Sequence, residues 1–258
     1  MRVVDQMGQK LEVNLPAQRI VSLVPSQTEF LHALGLDNEV IGLTKFCIHP
    51  NVWWHGKKRV GGTKNVDLEK VRLLSPDLII GNKEENSKEN IADLKEICPV
   101  WMSDISNLEE AYEMMSELGK LTNREVRAEE IVAQIKKEFS ELQSLKNKPK
   151  VAYFIWKKPW MCVGKDTFVN HLLEVCGFEN AIVEDRYPAI EESDFPDVDF
   201  VFLSSEPYPF KEKEMIEMKK FFSKAKIVVV DGEYFSWYGS RLLLAPRYFN
   251  SLLATLHG

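Results

Sequence analysis

The chain predicts an α/β protein of two Rossmann-like lobes with parallel-rich sheets, joined by a single long α-helix. Three observations predict it. In the first part of the chain, short β-branched runs such as Ile20–Val24, Val40–Thr44 and Leu78–Gly81 alternate with amphipathic stretches, the pattern of a parallel sheet covered on both faces. The same order restarts in the second part, at Val151–Trp156, Phe200–Leu203 and Ile227–Val230. Between them, Thr122–Lys146 contains neither Gly nor Pro and carries apolar residues at Ala128, Ile131, Val132, Ile135, Phe139, Leu142 and Leu145, one stripe at helical spacing. Thr122 followed by Glu125 reads as a capping box. This stretch is expected to be one helix running between lobes. The boundaries expected are 1–106, 107–148 for the connecting helices, and 149–258.

Taken in order, Arg2–Val4 and Lys10–Val13 flank Met7-Gly8 as an edge hairpin. Ile20–Val24 is a buried strand, and Ser26 with Glu29 is a second capping box that opens a helix ending at Gly35. After the strand Val40–Thr44 comes a loop, Lys45–Lys58, with Phe46, Cys47, His49, Trp53, Trp54 and His55. Asp67 caps a helix over Leu68–Leu74, and Leu78–Gly81 and Val100–Ser103 are strands. In the second half Asp166 or Thr167 caps a helix to Cys176, Ala181–Val183 fits a short strand, and Lys211–Phe222 is amphipathic. Arg241–Leu256 closes the chain as a helix.

Composition bounds the function. The 258 residues include 45% hydrophobic and 28% charged residues, enough to bury a core. A net charge of −6, with no Lys/Arg stripe of the kind that would track phosphates, argues weakly against nucleic acid as the main partner. No apolar run is long enough to span a bilayer. The N-terminus lacks signal-peptide features, so the chain is expected to be cytoplasmic, or periplasmic or membrane-associated on the outside if a signal peptide has been removed. Four cysteines without a C-x-x-C pair define no redox compartment.

In parallel sheets ligands bind beyond the carboxyl ends of the strands. The loops expected there are rich in aromatics: Phe46, Trp53, Trp54, Trp156, Trp160, Tyr187, Tyr234, Phe235, Trp237 and Tyr238. Such rings suit a large, flat or apolar ligand; the plainer reading is that several plug the lobes' ends. Cys47 and His49 lie two residues apart and suggest a soft metal site, but nothing in sequence completes the set, so no metal site is expected. No nucleophile elbow, phosphate loop or His-rich metal motif is present, and no catalytic residue or intrinsic cofactor is expected.

From about Arg19 onward the chain resembles the substrate-binding proteins of ABC importers for cobalamin and iron–siderophore complexes. The stretches that carry the likeness are RIVSLVPSQTEFLHALGL, VIGLT, VGGTKNVDLEKVRLLSPDLII, GKDTFVNHLLEVCGFENAI and FSWYGSRLLLAPRYF. The resemblance implies a non-enzymatic monomer that captures a corrinoid or iron chelate (cobalamin, ferric siderophore or haem) between its lobes for an ABC importer permease. It implies ligand contacts from Trp156, Trp160, Met161, Tyr187, Trp237, Tyr238 and Arg241, to which the aromatic loops add Phe46. It also implies an acid on each lobe for permease docking, Glu69 on the first and Glu192 on the second, with Glu191 and Asp194 as alternative registers. Thr63 and Asn82 stand where cobalamin binders often carry a tryptophan, which leaves room for a more polar chelate. The alternatives are a metallocluster-bearing or reductive enzyme on the same scaffold, a cytoplasmic storage or sensing protein, and a protein-docking module.

Overall fold

A computed structural model describes residues 1–257, the side chain of His257 excepted. The chain divides into two units. The first comprises Met1–Asp104, Glu109–Lys136 and Tyr238–Leu243; the second comprises Ile105–Leu108, Lys137–Trp237 and the residues from Leu244 onward.

The first unit begins with an antiparallel hairpin, β1 (Arg2–Val4) and β2 (Lys10–Glu12). Its main sheet contains β3 (Ile20–Ser22), β4 (Val40–Leu43), β5 (Lys58–Arg59), β6 (Leu78–Asn82) and β7 (Val100–Ser103). The spatial order is β5-β4-β3-β6-β7 and every pairing is parallel. The chain therefore builds outward from β3 on one side and then crosses to the other, which puts the topological switch point between β3 and β6. Helices α1 (Pro25–Ala33), α2 (Asn51–Gly56), α3 (Leu68–Leu74) and α4 (Lys88–Lys95) supply the connections. Val21, Val60, Val71, Ile79, Leu94 and Val100 form a fully buried core between sheet and helices.

The second unit repeats the scheme with β8 (Lys150–Trp156), β9 (Met161–Cys162), β10 (Glu179–Asn180), β11 (Phe200–Ser204) and β12 (Lys226–Val230). Its order is β10-β8-β11-β12, all parallel, with β9 antiparallel against β8. The switch point lies between β8 and β11. Phe154, Val201, Leu203, Phe210, Met218 and Phe222 centre its core. The expected strand at Ala181–Val183 is displaced to Glu179–Asn180, where the Glu179 amide bonds to the Pro149 carbonyl.

Several helix boundaries differ from the pattern-based expectation. Helix α5 covers Leu108–Leu121 and α6 covers only Glu125–Ser140. Thr122 does not cap α6. Its hydroxyl donates back to the Leu118 carbonyl at 2.7 Å, and Asn123 turns left-handed at φ +56°, so the pair ends α5 instead. The two helices are joined closely at Gly119, where an added Cβ would stand 2.6 Å from the Ala128 methyl. Beyond Ser140 the stripe continues but the helix does not: the Gln143 amide bonds to Asn250 and the Leu145 amide to the Cys176 carbonyl. Tertiary partners replace the helical ones, so the sequence stripe outlasts the helix.

Ser26 is likewise no cap, because α1 starts one residue earlier with Pro25 at its first turn, where a missing amide hydrogen costs nothing. Asp67, Ser87 and Thr167 do cap α3, α4 and α7 (Phe168–Val175), each accepting from the third following amide. Helix α8 is confined to Glu212–Met218, shorter at both ends than its amphipathic stretch. A short α9 (Gly232–Ser236) follows β12, and the closing helix is split: a 3-10 turn at Ser240–Leu243 precedes α10 (Ala245–His257), with Pro246 in its first turn.

Gly177, which ends the α7 segment at φ +88°, has the Leu145 carbonyl oxygen 2.2 Å from where a Cβ would sit. Gly177→Ala is expected to destabilise the protein by about 1–3 kcal/mol from the backbone strain alone, with the clash added, read as a lowered midpoint in chemical denaturation.

Candidate functional site

The carboxyl edge of each sheet is built from different chemistry. In the first unit it is small and polar. The Asn82 side chain at the end of β6 donates to Ser103 Oγ (3.0 Å) and accepts from the Glu84 and Glu85 amides (2.8 and 3.2 Å). Gln27 also donates to Ser103 Oγ, which in turn donates to the Gly81 carbonyl. Asn86 accepts from the Asn82 amide and donates to the Thr63 carbonyl at 2.8 Å. Asn82, Asn86, Ser103 and Gln27 are all buried. Asn82 is thus consumed by the edge of its own sheet rather than turned toward a ligand.

Cys47 belongs to the same layer. Its thiol is fully buried, 3.1 Å from both Thr28 Oγ1 and Thr44 Oγ1, and burial pushes its pKa up. A thiol held protonated in this way is a packing residue and a poor metal ligand. His55 is exposed at the end of α2, and among the described residues no three His, Cys, Asp or Glu side chains gather as a metal set. The loop expected over Lys45–Lys58 folds its middle into α2. Trp53 is buried, with its indole donating to Asp37 at 2.7 Å, whereas Phe46 remains 51% exposed.

The carboxyl edge of the second sheet is aromatic and acidic. Trp156 ends β8 beside the switch point, is 39% exposed, and meets Tyr208 edge-on at 5.7 Å. Trp160 is buried. It stacks on Phe210 with rings 6° from parallel, packs against Phe154, and donates from its indole to Glu192 at 3.2 Å. Met161 and Tyr187 are half-buried. Trp237 is buried, with its indole donating to Glu206 Oε1 at 2.9 Å beside a Ser236 hydroxyl bond of 2.8 Å to the same oxygen.

Tyr238 and Arg241 fall in the first unit. Tyr238 is buried, and the Arg241 guanidinium grips Glu29 of α1 through Nε and Nη2 at 3.1 and 2.7 Å. Its charge is therefore already matched by a largely shielded carboxylate, an arrangement with bidentate geometry. Of the two acids expected to dock a permease, Glu69 projects from α3 and pairs with Arg72, one turn away, both well exposed. Glu192 is exposed at a 3-10 turn over Glu192–Asp194, next to the equally exposed Glu191 and Asp194.

The structure brings out two acids that sequence reasoning passed over, Glu29 and Glu206. Glu206 had a usable signal, since it follows a buried strand at the carboxyl end of the sheet. Glu29 had none, because its partner is more than two hundred residues away. Burial raises the Glu206 pKa, opposed by the Ser236 and Trp237 hydrogen bonds and reinforced by the neighbouring charges of Glu233 and Asp231. A carboxyl whose folded pKa exceeds its unfolded value favours the fold below its ordinary value of 4.5 and weakens it as pH rises through the folded value. Glu206→Gln, which keeps an acceptor for Ser236 and Trp237, is expected to raise the melting temperature above that of wild type at pH 8 and to lose that advantage in acid, as measured by calorimetry across pH.

The chain can now be set beside known proteins. The model of the periplasmic binding protein family matches residues 20–207. An ABC transporter substrate-binding lipoprotein of Bacillus subtilis is 29% identical over 191 residues, covering 70% of this chain but 60% of its own length. The chain thus spans less than two thirds of that relative. A vitamin B12-binding protein of Pectobacterium atrosepticum is 25% identical over 258 residues, covering 93% of this chain and 89% of its own. The solved structure of a possible iron-binding, periplasmic solute-binding protein of Staphylococcus epidermidis matches with a TM-score of 0.77 at 25% identity, over 94% of this chain and all of its own. A family model that covers most of the sequence, on a fold of two switch-point sheets, leaves one conclusion: the chain belongs to the periplasmic binding protein family.

Proposed function

We propose that this protein captures a corrinoid or metal chelate, of the class of cobalamin, ferric siderophores and haem, and delivers it to an ABC importer without transforming it. The observation that carries the reading is Trp156. It is a large ring, 39% exposed, at the carboxyl end of a central parallel strand and beside the switch point, where such sheets bind ligands. Tyr208 steadies its edge. The Bacillus and Pectobacterium relatives, named for ABC transport and vitamin B12 binding, support the same class. In the first unit Phe46 is an exposed ring in the loop after β4. Met161 and Tyr187 are partly accessible, whereas Trp160, Trp237 and Tyr238 are buried within their own units.

The reading extends to partners and place. The protein acts as a monomer outside the cytoplasmic membrane, needs no cofactor of its own, and docks its permease through Glu69 and Glu192. No helix among the described residues is long and apolar enough to cross a membrane. The enzyme alternative requires cysteine ligands presented to a cofactor, and Cys47, Cys162 and Cys176 are buried.

Tryptophan fluorescence titrated with cyanocobalamin, a ferric siderophore and haem, with inner-filter controls, tests the reading. Saturation by one of them is expected, with Trp156→Ala weakening it at least tenfold, about 1.4 kcal/mol. Lack of saturation by all three, or an unchanged affinity in Trp156→Ala, contradicts it. Glu69→Ala is expected to leave the melting temperature and ligand affinity unchanged, since exposed ion pairs contribute roughly 0–1 kcal/mol, while lowering uptake in cells that carry the importer.

A further inference from the structure

Residues 45–66 hold five cationic side chains, Lys45, Lys57, Lys58, Arg59 and Lys64, and not one acid, in a chain whose overall charge is −6. The strip is local in space as well as in sequence. The Lys45 amide bonds to the Gly61 carbonyl and the Trp54 indole to the Lys45 carbonyl, so the loop after β4 and the turn after β5 are one layer. Lys45, Lys58, Arg59 and Lys64 are exposed. Among them, interleaved, stand Phe46, Ile48 and Val52, 51%, 44% and 65% exposed.

Among the described residues, the partners of these cations leave their charge unmatched. The Lys45 ammonium lies over the Phe46 ring at 5.0 Å and the Arg59 guanidinium over Trp54 at 4.9 Å. Arg59 also donates to the Trp54 carbonyl at 2.6 Å, and Lys57 to the Asp37 carbonyl. Ring faces and carbonyls orient a cation but do not neutralise it. Two acids, Glu84 and Glu85, follow β6 at the same edge, and the charge of Glu85 reaches the Cys47 thiol; the five cations outnumber them. The strand ends of the second unit are acidic instead, with Glu206, Asp231 and Glu233 around one crevice.

Resting on the receptor reading above, we infer that the cargo is an anionic metal chelate, drawn to the basic aromatic strip Lys45–Lys64 at the carboxyl edge of the first sheet, in preference to an uncharged corrinoid or chelate. Rings there cover the flat or apolar part of the ligand, while the lysines and Arg59 meet its carboxylate or catecholate oxygens. Charged oxygens attract across a Debye length of about 10 Å at 0.1 M salt, so the preference is salt-sensitive.

Isothermal titration of the full chain with a ferric tris-catecholate complex, which is anionic, and a ferric tris-hydroxamate complex, which is uncharged, separates charge from metal and size. The expected result is at least tenfold tighter binding of the tris-catecholate at low salt, with the margin shrinking in 1 M NaCl. Lys58→Glu combined with Lys64→Glu, both exposed and checked for an unchanged melting curve, is expected to remove most of that margin. Equal or tighter binding of the tris-hydroxamate or of cyanocobalamin overturns the inference and leaves the receptor reading standing. Failure of haem and all these complexes to bind overturns both. Binding of wild type, but not of the double variant, to phosphatidylglycerol vesicles, without discrimination between the two iron complexes, assigns the strip to a lipid surface and overturns the inference as well.

Discussion

Parallel pairing is the constraint on which this molecule depends. Except for β9, every strand of both main sheets runs parallel to its neighbours. All strands of a sheet then end on one edge, and the loops beyond that edge converge. The chain must satisfy the backbone groups left there and still present a surface. Everything specific to the protein follows from how it does so twice, with different residues.

The first sheet closes its edge with side-chain amides and hydroxyls. Asn82, Asn86, Gln27 and Ser103 form a buried network that stands in for missing strand neighbours. Buried polar networks of this kind are costly when incomplete and rigid when satisfied. Here Gln27 donates into the network while its own Oε1 is left without a partner among the described residues. The second sheet closes its edge with aromatic packing. Trp160, Phe210 and Phe154 form the floor, and Glu206 ties Trp237 to the end of β11. Trp156 is the large ring of that edge left substantially open to solvent.

The sequence already disclosed the class of fold, because period-two and period-3.6 hydrophobicity alternate cleanly along it. Caps with a local partner, such as Asp67 and Thr167, were legible for the same reason. Features decided by distant partners were not. The stripe of α6 runs on to Leu145, yet Asn250 and Cys176 take the amides that would have continued the helix. The ion pair of Arg241 with Glu29 was hidden for the same reason, its partners lying far apart in the chain. Trp160 and Trp156 were indistinguishable as loop tryptophans; Phe210 and Glu192 bury the first, and a strand end exposes the second. The basic strip could have been counted from sequence alone, but that its cations lie on ring faces required coordinates.

Trp156 is the proposed seat of the metal-bearing ligand. A crystal structure of the protein with the chelate that saturates it, using anomalous scattering to locate the metal, tests this most directly. Ligand atoms are expected within about 4 Å of the Trp156 ring, the range of van der Waals contact. A ligand seated elsewhere, with Trp156 bare, would contradict it.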